Sequence, residues 1–156
     1  MALTKIVSGG QTGVDRGALD AALQAGFACG GWAPGDRVAE DGIIPESYSL
    51  VALPKRGYRE RTRQNVVDND GTAITHFETL KGGTRLTRNL CALEKKPCVL
   101  VDARQVPEPA RAAEVTLEFA EEHGSQVLNV AGPRASGWPK GYAYALAAVG
   151  AVIGIL

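Results

Sequence analysis

Five short runs rich in β-branched and apolar residues alternate with five longer helical patterns, and this alternation constrains the fold more than any other feature of the chain. LTKIVSG reads as a first strand, DRGALDAALQAG as a helix closed by Gly26, and FACGGWAP as a second strand. RERTRQNVVDND fits a polar helix, GTAITHF a strand of β-branched residues, and KGGTRLTRNLCALEKK a glycine turn feeding a helix. PCVLVDA is a nearly continuous apolar run of the kind found in strands buried on both faces. EPARAAEVTLEFAEEHG reads as a helix with prolines at its start and Gly124 at its end, QVLNVAGPRASG as a strand running into a glycine loop, and a last helix begins near Pro139. Strand and helix in such alternation predict an α/β fold: a mostly parallel sheet with helices on both faces. At 156 residues, the chain has the length of one domain, residues 1–156, with a core of ordinary size.

Two details refine this picture. Val14, Ala18, Ala22 and Ala25 recur at helical spacing and predict a small-residue face packed closely on a sheet. Residues 34 to 57, with the acidic stretch AEDGIIPES, carry no helical period and read as a long ordered loop.

Charge narrows the partners. Seventeen basic and seventeen acidic side chains leave a formal charge of zero, which provides no broad positive face for a nucleic-acid backbone. Cys29, Cys91 and Cys98 form an odd set without a CxxC, so neither a disulfide framework nor a metal spacing is expected and a cytoplasmic location is the simplest one. MALTKIV lacks the long apolar stretch of a secretory signal. The closing run AYALAAVGAVIGIL is shorter than the roughly 20 apolar residues that cross a bilayer, so it is expected to be a buried helix or a subunit interface rather than a membrane span.

The unusual residues fall in four glycine-bearing loops, SGGQTGVD, NDGT, KGGTRLT and NVAGPR. In a parallel α/β sheet, ligands bind beyond the carboxyl ends of the strands, where strand-to-helix loops gather. Glycine lets the backbone approach a ligand, and the unpaired N–H groups of the next helical turn, with the helix dipole, favour an anion. Gln11, Thr12, Thr84 and Thr87 add neutral hydrogen bonds, while Arg16, Arg63, Arg85, Arg88 and Arg134 provide positive charge. Trp32 and Trp138 each lie beside a glycine loop, where an indole either packs or stacks on a flat ligand.

Chemistry is poorly signalled. The first loop does not match GxGxxG and the chain contains no GxxxxGK[ST], which argues against a nicotinamide dehydrogenase and a P-loop NTPase. Asp15 reads either as a helix cap or as a ligand contact, and Asp68 and Asp70 as turn residues. His76 falls inside a strand and His123 at a helix end, so neither has the spacing of a metal ligand or a base. Glu40 and Asp41, beside Arg37 in the long loop, are the acids without an evident structural duty. No residue is assigned a catalytic role.

The strings SGGQTGVDRGALDAAL, GGWAPGDRVAEDGIIPESY, RTRQNVVDNDGT, KGGTRLT, KPCVLVD and LNVAGPR, in this order from about Lys5 to about Arg134, closely resemble the "putative molybdenum carrier" family, a YpsA-related branch of the SLOG superfamily. The resemblance implies a Rossmann-like three-layer α/β fold and a homo-oligomer. It also implies a binding and carrier protein for molybdenum cofactor (molybdopterin), molybdate or a related phosphorylated anion, with a molybdoenzyme as the acceptor. Carried onto this sequence, the cofactor-binding residues are Gly9, Gly10, Gln11, Thr12 and Gly13 with Arg16 beside them, then Gly82, Gly83, Thr84 and Thr87, and Arg134. The related phosphoribohydrolases carry PGGxGTxxE, whereas this chain reads KGGTRLT and places Thr87 where a glutamate is expected, a departure that speaks against hydrolysis and leaves binding untouched. Two alternatives stay open: a phosphoribohydrolase-like enzyme using Glu40 or Asp41 as base, and a nucleotide-sensing regulatory protein.

Overall fold

The structure is a computed structural model that describes residues 2–54 and 57–156. The central sheet is built from β1 (Lys5–Val7), β2 (Cys29–Gly30), β7 (Gly71–His76), β8 (Cys98–Asp102) and β9 (Val127–Ala131), in the spatial order β2-β1-β9-β7-β8. Every pairing in it is parallel, with Ile6 opposite Cys29 and Leu128, Ala73 opposite Val130, and Ile74 opposite Leu100. Helices α1 (Val14–Gln24), α4 (Pro109–Glu122) and α5 (Gly141–Ile155) pack together on one face. On the other face lie α2 (Tyr58–Val67) and α3 (Gly82–Leu93), so the architecture is the three-layer, Rossmann-like α/β fold that the strand-helix alternation predicts.

The main core lies between the sheet and α1, α4 and α5, around the fully buried Ile6, Val14, Leu128 and Ala113. Burying one large aliphatic side chain contributes about 1.5–3 kcal/mol, so this layer dominates stability. The small-residue face of α1 serves the α1–α5 contact as well as the sheet: at Gly17 an added Cβ would stand 2.5 Å from the Tyr142 carbonyl oxygen. Ala25, predicted on that face, is instead exposed at the helix end, where the chain turns through Gly26 (φ 65°).

Three expectations are corrected. FACGGWAP is not one strand, because Gly31 (φ 134°) lies against the Ser8 backbone and breaks the run; β2 stays in the central sheet, while β3 (Trp32–Pro34) leaves it to pair with β6 (Val51–Leu53). PCVLVDA is not buried on both faces. As β8 it occupies the sheet edge with Leu100 42% exposed, while all six residues of β7 are buried. An apolar run looks the same whether one or two strands flank it, and only the strand order separates the cases. The NDGT loop does not join the other glycine loops: it enters β7 at the opposite end of the sheet, where the Asp70 carboxylate accepts the Gln126 and Val127 amides at 2.9 Å each.

The predicted long loop is an ordered arm, and Lys55 and Arg56 within its span lie outside the described residues. It contains the β4–β5 hairpin (Val38–Ala39 and Gly42–Ile43) and is anchored through Ile44 and Leu50, which bury against Leu19 of α1. Arg37, at φ 54°, donates to the carbonyls of Leu50 at 2.8 Å and Pro45 at 3.2 Å, tying the arm to itself.

Candidate ligand-binding cleft

At the carboxyl ends of β1, β7 and β9 a cleft of about 600 Å³ opens between α2 and the start of α3. Its position is the one a parallel α/β sheet reserves for a ligand. Of the residues singled out from the sequence, Gly9, Gln11, Gly82, Gly83, Thr84, Thr87 and Arg134 line it, and Gly10, Thr12, Gly13 and Arg16 do not.

The second group holds the loops together. Gly13 (φ 83°) lies so close to the next loop that an added Cβ would stand 2.5 Å from the Pro133 carbonyl oxygen. The Thr12 hydroxyl donates to Glu40 at 2.5 Å and accepts the Ala135 amide at 3.1 Å. Arg16 donates to the Gly10 carbonyl at 3.0 Å and to both oxygens of Asp41 at 2.5 and 2.9 Å. The start of α1 is covered as well: the Val14 amide donates to the Pro133 carbonyl at 3.3 Å and the Gln11 amide to Asp15 at 3.3 Å. The Gln11, Thr12 and Val14 amides of the first glycine loop therefore have protein acceptors.

The start of α3 faces the cleft through Gly82 and Gly83, where an added Cβ would meet open space; like α1 it has no side-chain cap, and its Thr84 amide donates to the Lys81 carbonyl at 3.1 Å. Unpaired N–H groups at a helix N-terminus, joined by the dipole, form an anion site. Lys81 and Arg134 provide positive charge at the same rim, where Lys81 lies 3.6 Å from Glu78 and the exposed Arg134 3.7 Å from Glu40. The Thr87 hydroxyl is spent on the Gly83 carbonyl at 2.8 Å, so it shapes this turn. The cationic candidates Arg63 and Arg16 are paired with Glu94 and Asp41, and Arg85 and Arg88 are exposed outside the cleft wall.

The floor carries two buried ionisable residues: Asp15, which the sequence marks as a helix cap or a ligand contact, and Arg61, which it does not mark. Arg61 of α2 is 6% exposed and donates to the Gly9 carbonyl at 2.5 Å, and Asp15 of α1 is 8% exposed. Burial pushes the Asp15 carboxyl up to about 6, against the opposing pull of Arg61 and of the Gln11 amide. Burial likewise lowers Arg61 from its ordinary value, with Asp15 working the other way. Nothing in RERTRQ marks the middle arginine as the inward one, since all three look like the solvated face of a polar helix. Trp138 and Phe77 form an aromatic wall, stacked with ring centroids 5.9 Å apart. Trp32 is elsewhere, its indole donating to Asp68 at 2.7 Å.

Glu40 and Asp41, the candidate bases, do not line the cleft. The Glu40 carboxylate accepts the Thr12 and Ser136 hydroxyls and the Ser136 amide, and these bonds hold its pKa below the usual carboxylate range. Among the described residues, no group of three or more His, Cys, Asp or Glu side chains is placed to hold a metal ion. No helix among them is long and apolar enough to cross a membrane.

A three-layer α/β fold with a cleft at the carboxyl ends of its parallel strands is a Rossmann-like architecture, with the cleft where such folds take a ligand. The chain belongs to the circularly permutated YpsA SLOG family, whose model matches residues 6–153. It is similar to a crystal structure of a protein named "putative molybdenum carrier protein" from Syntrophus aciditrophicus SB, with 42% identity over 97% of this chain and 96% of that one and a TM-score of 0.93. No curated protein matches the chain.

Proposed function

We propose that this protein binds and carries a phosphorylated, anionic small molecule of the molybdenum-cofactor type in the cleft at the carboxyl ends of β1, β7 and β9. The observation that carries the reading is that the glycine start of α3, Gly82 and Gly83, lines the same cleft as Lys81, Arg134 and the Phe77–Trp138 wall. A phosphate on the α3 amides and a flat ring toward the aromatic wall would use both surfaces. Gly9, Gln11, Thr84 and Thr87 contribute the remaining lining, while Gly10, Thr12, Gly13 and Arg16 hold the loops in register. The carrier named in the similar structure supports this ligand class. The engagement of Glu40 and Asp41 in loop-fixing bonds favours carriage over hydrolysis.

The same proposal includes a cytoplasmic setting, which suits the three free thiols, and delivery of the ligand to a molybdoenzyme. It also includes self-association through α5, a helix without a charged residue that leaves Ile155 and Leu156 exposed. Sedimentation of wild type and Ile155→Asp checks this part: a lighter species for the variant supports the contact, and identical masses remove it. Anaerobic titration with molybdenum cofactor tests the ligand. Saturable binding weakened by Arg134→Ala is expected, and an absence of saturation defeats the reading.

A further inference from the structure

His76 is the last residue of β7, at the carboxyl edge of the sheet, and lines the cleft although it is only 7% exposed. Its Nδ1 lies 2.8 Å from the Glu78 carbonyl oxygen. A carbonyl can only accept, so Nδ1 carries the proton, and a ring protonated there alone has Nε2 as its acceptor. That Nε2 is buried and has no hydrogen-bond partner among the described residues. The carboxylate of Asp102, opposite His76 on β8, is engaged by Arg104 at 3.1 and 3.2 Å. Buried polar atoms are nearly always satisfied, and an exception in the wall of a cleft marks a place where an incoming group completes the bond.

We propose that His76 is a specificity-determining residue of this cleft, its Nε2 accepting a hydrogen bond from an N–H or O–H of the bound molecule. The proposal rests on the anion-binding reading above and sharpens it. With its anionic group on the α3 amides, the ligand must also present a donor. A nitrogen heterocycle bearing a phosphate does so through its ring N–H, amino or hydroxyl groups. Molybdate and sulfate, fully deprotonated near neutral pH, have no proton to donate and leave Nε2 unmet. The site therefore selects an organic phosphate over a bare tetrahedral oxyanion.

The test uses the full chain with four probes at one ionic strength: neopterin monophosphate, guanosine monophosphate, sodium molybdate and sodium sulfate. Calorimetric titration of wild type should show at least one organic probe binding about tenfold or more tighter than either oxyanion. His76→Phe keeps a ring but removes the acceptor, and should weaken the organic probe about tenfold while leaving the oxyanions within about twofold. His76→Gln restores an acceptor and should recover part of the loss, which separates a lost bond from a damaged fold. Nitrogen NMR of the unliganded protein should show the proton on Nδ1 and none on Nε2, with Nε2 shifting on addition of the organic probe. A proton on Nε2, or equal organic-probe affinities for wild type and His76→Phe, overturns the assignment. Oxyanions binding as tightly as both organic probes overturn it while the anion-site reading survives, and no binding of any probe overturns both.

Discussion

Glu40 and Ser136 are joined by two hydrogen bonds, from the serine hydroxyl at 2.7 Å and from its amide at 3.0 Å, although they lie 96 positions apart. The same carboxylate accepts the Thr12 hydroxyl at 2.5 Å, and the Glu40 amide donates to the Gln11 side chain at 2.9 Å. One residue of the arm thereby fastens the loop after β1 to the loop after β9. Glu40→Ala should leave the overall fold intact but raise amide hydrogen exchange in residues 36–44 and around Ser136. Since these bonds favour the ionised form, the latch is present above the ordinary value of 4.5 and is lost as pH falls through the lower folded value. Exchange in the arm measured from pH 7 down to pH 3 checks the direction.

Asp15 sets a second dependence with the opposite sign. Its folded value of about 6 lies above the ordinary 3.8, so the folded state holds this proton more tightly than the unfolded chain. The contribution is therefore fully present below pH 3.8 and is lost as pH rises through 6. At 1.36 kcal/mol per unit it amounts to about 3 kcal/mol across that window. Urea unfolding of wild type and Asp15→Asn at half-unit steps from pH 4 to pH 8 should show the difference between them moving against wild type by about that amount. A pH-independent difference would place the buried proton elsewhere.

The glycines of the two main loops should respond differently to alanine. At Gly13 a positive φ and the closeness of the Pro133 carbonyl both oppose a side chain, so Gly13→Ala should lower stability by about 1–3 kcal/mol. At Gly83 the added methyl meets open space inside a helix, so Gly83→Ala should raise stability by about 0.5–1 kcal/mol. Thermal unfolding of the pair distinguishes loop-fixing from ligand-facing glycine.

Much of this organisation is legible in the sequence, and most of what is not depends on which elements become neighbours in space. Strand-helix alternation, the glycine loops after β1, β7 and β9, and the glycines Gly26 and Gly124 that end α1 and α4 are local patterns, readable from neighbours in the chain, whereas Asp15 does not cap α1. The exposure of β8, the break at Gly31 and the remote position of Asp70 depend on which strands become neighbours, which no local window contains. The site divided in the same way. Gly82 and Gly83 stood out as a turn before a helix, whereas Arg61 looked like any exposed helical arginine until the packing turned it toward Gly9. His76 reads as an interior strand residue, yet it ends β7, and the carboxyl end of a parallel strand is where α/β folds place a ligand. That signal was available from the strand boundary alone.

The most direct test of the central claim is titration of wild type and Gly83→Asp with molybdenum cofactor. An aspartate in the first turn of α3 complements the helix dipole and should not lower the thermal midpoint, yet it places a carboxylate where the ligand phosphate is assigned. If the cleft at α3 holds the anion, wild type saturates and Gly83→Asp binds about tenfold or more weakly at undiminished stability. Equal binding by the two proteins, or no saturation of wild type, would contradict the claim.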